Sequence, residues 1–315
     1  MKIAFLADPL AQFKIEKDST YAMMIEASRR GYEVYALEQK DLFIVNNEVR
    51  ARVAKISLIA EEKKDWFSRD SGKIYPLSHF DAVINRKNPP FDVNYLNLTY
   101  FLERAEQNGA RVFNRAAALR SHNEKLAITE FPQFIPPTLV SNSADDIRAF
   151  YAEHKDIILK PLDGMGGMGI FRVNADGLNL SSIIETLTGN GKRAIMAQKY
   201  LPEIVKGDKR ILIIDGKAVP YSLARIPQSG EVRGNLAAGG KGVAQELSER
   251  DKEIAQTLAP VMKERGLFLV GLDVIGDYVT EINVTSPTCF REITQQTGFN
   301  VAGMFLDSLE ERIKG

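Results

Sequence analysis

Residues 160–173 read KPLDGMGGMGIFRV. The apolar run Ile157-Ile158-Leu159 leads into them, and glycine then occupies positions 164, 166, 167 and 169. A glycine-rich turn presents backbone N–H groups with no side chain in the way, which makes a cradle for phosphate oxygens. Such turns also join ordinary hairpins. The turn alone leaves both readings open, and the rest of the chain has to choose between them.

At 315 residues the chain is too long for one small core and suits two or three domains. Its content of 44% hydrophobic and 26% charged residues is that of a globular protein in water. The 41 basic residues balance 41 acidic ones, so no global field attracts nucleic acid or an anionic membrane surface. Affinity for an anion has to be built locally. The opening MKIAFLADPL has too short an apolar run for a secretion signal, and no stretch approaches the length of a membrane span. The chain reads as cytoplasmic. Its single cysteine, Cys289, excludes an intramolecular disulfide, and with only His79, His122 and His154 beside it a Cys/His zinc site is excluded too. No histidine lies near Cys289 in sequence, so it reads as a buried or incidental thiol rather than a nucleophile.

Outward from the turn, the pattern alternates strand and helix. KIAFLAD is a short apolar strand, STYAMMIEASRR a helix with Ser19 as its expected N-cap and Gly31 at its end, and YEVYAL the next strand. Strand, helix and strand with short links make a βαβ unit and imply a parallel sheet. FDAVINR and ARVFN add strands around the helix NYLNLTYFLERAEQNG, so the first 122 residues form an open α/β domain. Asp8 and Arg86-Lys87 follow strand ends, where ligands of open α/β sheets bind. There is no G-x-G-x-x-G after the first strand, which disfavours a dinucleotide site. Residues 123–200 read as a small α+β unit: the short helix NEKLAITEF, a proline-rich break, the helix SADDIRAFYAEH, the strands IILKPL and IFRV around the turn, a helix near 180–189, and AIMAQKYL. Residues 201–315 read as antiparallel strands (KRILIIDG, KAVPYSLARI, LFLVGLDVIG, YVTEINV) with helices packed on one side.

The last hairpin carries chemistry. Glu281 and Asn283 are two apart on a strand and share a face. Asp273 faces Glu281 if the loop holds an odd number of residues, such as Gly276-Asp277-Tyr278. Two carboxylates and an amide oxygen then make a hard, oxygen-only site suited to Mg²⁺ that shares phosphate oxygens. A register slip of one residue would separate them and leave Asp273 without a partner among apolar neighbours. Lys160 stands just before the cradle where a triphosphate would lie, with Lys125 as a second cation. Gln198, Lys199, Tyr200 and Leu201 end a strand that can present backbone groups to an adenine edge, and Asp208 comes next, within reach of a ribose. The run 224–242, ARIPQSGEVRGNLAAGGKG, has five glycines and no hydrophobic periodicity, with Arg233 and Lys241 as interior cations. It reads as a mobile lid.

Taken together, RKNPPFD, NEKL, IILKPLDGMGGMGIFRV, AQKYLP, GDKR, the 224–242 run and GLDVIGDYVTEINVTSPTCFREI resemble, in order and over essentially the whole chain, the bacterial glutathione synthetases, a family of ATP-grasp ligases. The resemblance implies an ATP-grasp fold behind an N-terminal open α/β (pre-ATP-grasp) domain, with ATP between the second and third units. It implies that Lys125, Lys160 and the backbone of Gly164, Gly166 and Gly167 meet phosphates, Gln198 to Leu201 the adenine and Asp208 the ribose. Asp273, Glu281 and Asn283 would hold two Mg²⁺, with Mn²⁺ as a substitute. Arg210, Arg225, Asn283 and Ser286 would bind γ-glutamylcysteine, helped by Asp18 and Arg86, and Arg233 would sit on the closing lid. The second substrate would be glycine, and the assembly a homotetramer. Rival readings are another ATP-grasp amino-acid ligase, of the D-alanine–D-alanine or glutamate-adding type, and a non-catalytic ATP-binding regulator.

Overall fold

The computed structural model describes residues 1–58, 65–228, 230–231, 233–234 and 239–314. The first unit is built on β1 (Lys2–Leu6), β2 (Glu33–Leu37), β3 (Leu42–Val45), β4 (Glu48–Leu58), β5 (Phe67–Arg69), β6 (Lys73–Pro76), β7 (Ala82–Asn85) and β8 (Val112–Phe113). Strands β2, β1, β7 and β8 pair in parallel in that order, as the βαβ reading requires. Helix α1 (Ser19–Arg29) is capped by Asp18, whose carboxylate accepts from Tyr21 N; Ser19 is the first helical residue rather than the cap. Helix α2 (Val93–Gln107) begins in the same way on Asp92. The antiparallel strands β3 to β6 are not part of the sequence reading. Asn46 and Asn47 turn the β3–β4 hairpin at positive φ, and Val49, Ala51 and Val53 alternate inward with Arg50 and Arg52 outward.

After the short helix α3 (Ala116–Arg120), the second unit is a four-stranded antiparallel sheet of β9 (Thr138–Ser141), β10 (Ile157–Pro161), β11 (Phe171–Val173) and β12 (Ile195–Lys199) in the order β11-β10-β12-β9. Helices α4 (Ala144–His154) and α5 (Leu180–Thr188) close one face over Ile147, Ile157, Leu159, Ile184 and Ala197. NEKLAITEF is not an α-helix: Leu126–Glu130 is a 3₁₀ turn, ended by Pro132.

The third unit is an antiparallel sheet of β13 (Asp208–Ile214), β14 (Lys217–Ile226), β15 (Lys241–Glu246), β16 (Leu269–Ile275) and β17 (Tyr278–Asn283) in the order β15-β14-β13-β16-β17. Helices cover both faces, not one. Ile211 and Ile213 of β13 pack in the core with Ile254 and Leu258 of α6 (Glu249–Glu264), whereas Leu212 and Ile214 pack with Phe290 of α7 (Phe290–Thr297) and Phe305 and Leu306 of α8 (Val301–Lys314). That second core continues into the first unit through Tyr21, Met24 and Phe5. Side chains alternate between the two faces of a strand. Asp208 and Arg210 therefore share the face of Leu212 and Ile214 but lie past the end of its helical cover, so the same sheet face is core at one end and cleft at the other.

Candidate active site

The glycine-rich turn hangs over that open end. Gly164, Gly166, Gly167 and Gly169 all take positive φ (113°, 64°, 80° and 72°), which glycine adopts without strain. Beneath the turn, Lys125 Nζ donates to Gly164 O (3.2 Å) and to Glu281 Oε1 (2.8 Å), tying the cradle to the last hairpin. Lys160 Nζ donates to Thr280 O (3.0 Å). Both lysines are buried. Burial brings Lys160 down to about 8, with Glu281 opposing that shift and Lys125 adding to it. Gln198 donates its amide to Thr138 Oγ1 (3.0 Å) on the edge strand β9. Lys125, Lys160, Gly164, Gly166, Gly167, Gln198 to Leu201, Asp208, Asp273 and Glu281 all line one cleft of about 900 Å³, and Arg233 and Gly234 reach it from the other side.

Sheet register builds a block of four buried charges in its floor. Arg210 pairs with Asp273 across β13 and β16, and Asp208 pairs with Arg225 across β13 and β14. Arg210 Nε donates to Asp273 Oδ1 (2.6 Å), and an Arg225 terminal nitrogen lies 2.5 Å from Asp208 Oδ2 and 2.9 Å from Asp273 Oδ2. Burial pushes both carboxyls up; Arg210 and Arg225 hold Asp273 well below the usual carboxylate range, whereas for Asp208 burial, joined by repulsion from Asp273 and Glu281, outweighs Arg225 and Arg210 and leaves it raised. One oxygen of Asp208 is buried without a hydrogen-bond partner, and the residue lines the cleft.

Asp273 does pair with Glu281, by a route the loop count did not anticipate. The turn is only Gly276-Asp277, and the register is restored by a bulge: Val274 faces Val279 and Asp273 faces Glu281, so Thr280 is the extra residue. Asn283 Nδ2 donates to Gly271 O (3.2 Å), which leaves its Oδ1 for a cation. Two carboxylates and one amide oxygen on a polar cleft fit a hard divalent ion that completes its shell with phosphate oxygens and water.

A second pocket of about 820 Å³ adjoins the first and shares Gly164, Met165, Gly166, Asp273 and Glu281 with it. Arg210, Arg225, Asn283 and Ser286 line it, with Glu124, Thr285 and Cys289. Asp18 and Arg86, expected at the substrate, do not. Asp18 is occupied as the cap of α1, and Arg86 is buried behind the pocket wall, donating to Thr20 Oγ1 (3.0 Å) and Pro287 O (2.8 Å). Arg86 braces the loop that carries Ser286. Burial pushes the Cys289 thiol up, as an inert sulfur requires.

Two family models match, the N-terminal domain of prokaryotic glutathione synthetase over residues 1–120 and its ATP-grasp domain over 124–298. The glutathione synthetase of Ralstonia nicotianae is 60% identical over 310 residues, covering 98% of this chain and 95% of the relative. The chain belongs to the prokaryotic glutathione synthetase family. The glutathione synthetase of Vibrio parahaemolyticus is 51% identical over 100% of this chain and 99% of its own. Among solved structures, the D-cycloserine synthetase DcsG superposes with a TM-score of 0.69 at 18% identity over 99% of each chain. The ATP-grasp ligase PsnB, solved with a minimal precursor, Mg and ADP, superposes at 0.63 and 19%, covering 100% of this chain and 98% of that one. At such identities the likeness is one of fold. The fold is ATP-grasp.

Within this member of the family, the 224–242 run proves shorter as a loop than the sequence suggests. Arg225 pairs with Gly242 and Ile226 with Lys241, so both ends are strand and the connection is 227–240, of which 229, 232 and 235–238 lie outside the described residues. A Cβ on Gly234 would sit 2.2 Å from Arg225 O, so glycine is required there. Sequence reasoning also missed two residues. Arg172 stacks on the Tyr200 ring (3.5 Å to its centroid) and is held by both carboxylate oxygens of Asp156, bracing the strand end of the first pocket. Glu124, adjacent to Lys125, is tied to the substrate pocket by partners about 160 positions away, which no local pattern reveals.

Proposed function

We infer that the chain is a glutathione synthetase, joining γ-L-glutamyl-L-cysteine to glycine with conversion of ATP to ADP and phosphate. Family membership supports the reaction class, and one observation supports its assignment to these residues: the two pockets share a wall. A phosphoryl group at the cradle and a carboxylate held near Arg210 and Arg225 meet across Gly164, Gly166, Asp273 and Glu281. A carboxylate is a poor electrophile, and its conversion to an acyl phosphate makes it reactive. Lys125 and Lys160 hold positive charge against the phosphates during that transfer. Asp273, Glu281 and Asn283 would hold Mg²⁺, which would supply charge neutralisation on the transferring group; two ions, replaceable by Mn²⁺, complete the reading. Glycine's amine, in its neutral form, then attacks the acyl carbon, and Arg210 or Arg225, each fixed by its aspartate, stabilises the oxyanion. The amide forms as the C–O bond breaks, phosphate leaves and the nitrogen gives a proton to it or to water. Arg233 and its connection keep water from the acyl phosphate. No protein nucleophile is needed, which agrees with a buried Cys289.

The test mixes protein, ATP, Mg²⁺, γ-glutamylcysteine and glycine, and monitors phosphate and tripeptide with each substrate omitted in turn. Stoichiometric ADP and glutathione only in the complete mixture supports the reading; phosphate release without tripeptide refutes it. The homotetramer is checked by size exclusion with light scattering.

A further inference from the structure

We propose that Glu124 recognises the amino substrate: its second carboxylate oxygen seats the primary ammonium of glycine beside the phosphoryl-transfer end of the pocket. The proposal rests on the ligase reading above.

Three carboxylates line the second pocket. Asp273 is paired with Arg210 and Arg225, and Glu281 with Lys125. Glu124 is different. Its Oε1 accepts from Val284 N (2.8 Å), Thr285 N (3.0 Å) and Thr285 Oγ1 (3.0 Å), while its own carbonyl accepts from Ile282 N (2.8 Å). Those bonds lock the side chain. Oε2 has no hydrogen-bond partner among the described residues, and no lysine or arginine nitrogen among them lies within ion-pair distance. Burial and the neighbouring Glu281 accordingly make its ionisation harder.

A half-buried carboxylate fixed on one oxygen and bare on the other, lining a substrate-sized pocket, can take a cation from the ligand. The reaction brings two ammonium groups. That of the γ-glutamyl residue lies at the far end of the dipeptide from the carboxylate being activated. Glycine's nitrogen must approach that carboxylate at the wall shared with the cradle, where Glu281 stands, with Glu124 near it in the second pocket. A charge-assisted contact there orients the nitrogen and selects a primary amine.

The experiment compares the wild type with Glu124→Gln, whose amide oxygen still accepts from Val284 and Thr285. Glycine and hydroxylamine, an uncharged amine at neutral pH, serve as alternative acceptors. We expect the KM for glycine to rise at least ~10-fold in the variant, as loss of a hydrogen bond to a charged group implies, with the KM values for ATP and γ-glutamylcysteine and the rate of hydroxamate formation unchanged. Thr285→Val, which removes one donor to Oε1, should raise the glycine KM in the same acceptor-dependent way and gives a second reading if Glu124→Gln does not fold. Equal loss with both acceptors, a raised KM for γ-glutamylcysteine, or a raised Mg²⁺ requirement overturns the assignment while leaving the ligase reading intact. A wild type that makes no glutathione overturns both.

Discussion

The affinity of the free protein for ATP should fall above pH 8, and Lys160 sets the point. Its ammonium is buried at the end of β10 and donates to Thr280 O, and desolvation outweighs the attraction of Glu281 and brings it to about 8. Measured from the ordinary lysine value of 10.5, this disfavours the charged form by about 3 kcal/mol. The triphosphate needs that charge. Below pH 8 the free protein already carries it; above, each ATP bound must first restore a proton. One unit above the folded value roughly ten in eleven molecules hold a neutral amine, so kcat/KM for ATP should drop about tenfold from pH 7 to pH 9, because that parameter titrates with the free protein. Once ATP is bound its phosphates hold the proton on, and kcat should stay level.

The assay is initial phosphate release at low and saturating ATP, with Mg²⁺ and both amino substrates saturating, from pH 6.5 to 9.5. Lys160→Arg is the control, since a guanidinium keeps its charge across this range: its kcat/KM should be lower throughout but lose the alkaline fall. A wild-type kcat/KM flat to pH 9.5, or the same fall in Lys160→Arg, would refute the reasoning.

Other contacts lead to further outcomes. Glu281→Gln removes a proposed metal ligand and should cost no less than the roughly 100-fold at which loss of outer-shell partners tops out; full activity at ordinary Mg²⁺ in a titration would defeat the assignment. Arg233→Ala should raise phosphate release relative to glutathione formed, and unchanged coupling of the two would remove the lid role. Arg172→Ala deletes the stack on Tyr200, worth about 1 kcal/mol, so the KM for ATP should rise about fivefold with kcat unchanged; a lowered kcat with an unchanged KM would place its effect elsewhere. Asn114 exchanges bonds with Leu269 N and O and donates to Val284 O, all buried, so Asn114→Ala should lose about 3 kcal/mol in urea unfolding, and a change under about 1 kcal/mol would mean that water replaces the amide.

The strands around the site are legible because they are nearly continuous apolar runs buried on both faces, as ILII and LFLVGLDVI are. The same property hides which faces carry helices. An apolar run covered twice looks like one covered once, and only the split of Ile211 and Ile213 from Leu212 and Ile214 between two cores shows that both faces are covered. Strands β3 to β6 escape sequence reasoning for the opposite reason: they are short or half-exposed, and their signal is the Asn46-Asn47 turn with alternation after it. Pairing of Asp273 with Glu281 is argued from the sequence by the need of a buried aspartate for a partner; Arg210 and Arg225 meet that need, and the two carboxylates face each other because a bulge supplies the residue that the loop lacks. Asp18 and Arg86 show the limit of motif transfer. Their positions are set by tertiary depth, a cap and a loop brace behind the pocket, and depth leaves no mark on spacing.

Charge accounting connects the legible part of the site to the part that is not. The two pockets are lined by Lys125, Lys160, Lys199, Arg210, Arg225 and Arg233 against Glu124, Asp208, Asp273 and Glu281. Six cations against four carboxylates leave a surplus smaller than the charge of a triphosphate, and Arg210 and Arg225 are already committed to aspartates. A divalent ion at the proposed ligands Asp273, Glu281 and Asn283 would supply the rest of the positive charge that a triphosphate needs beside the lysines. Such an ion would draw on Glu281 and release Lys125 toward phosphate, while Glu124 is the one carboxylate of the second pocket, among the described residues, with neither arginine, lysine nor metal assigned to it. The cation proposed to answer Glu124 is glycine's ammonium, which has to give up a proton before its nitrogen attacks.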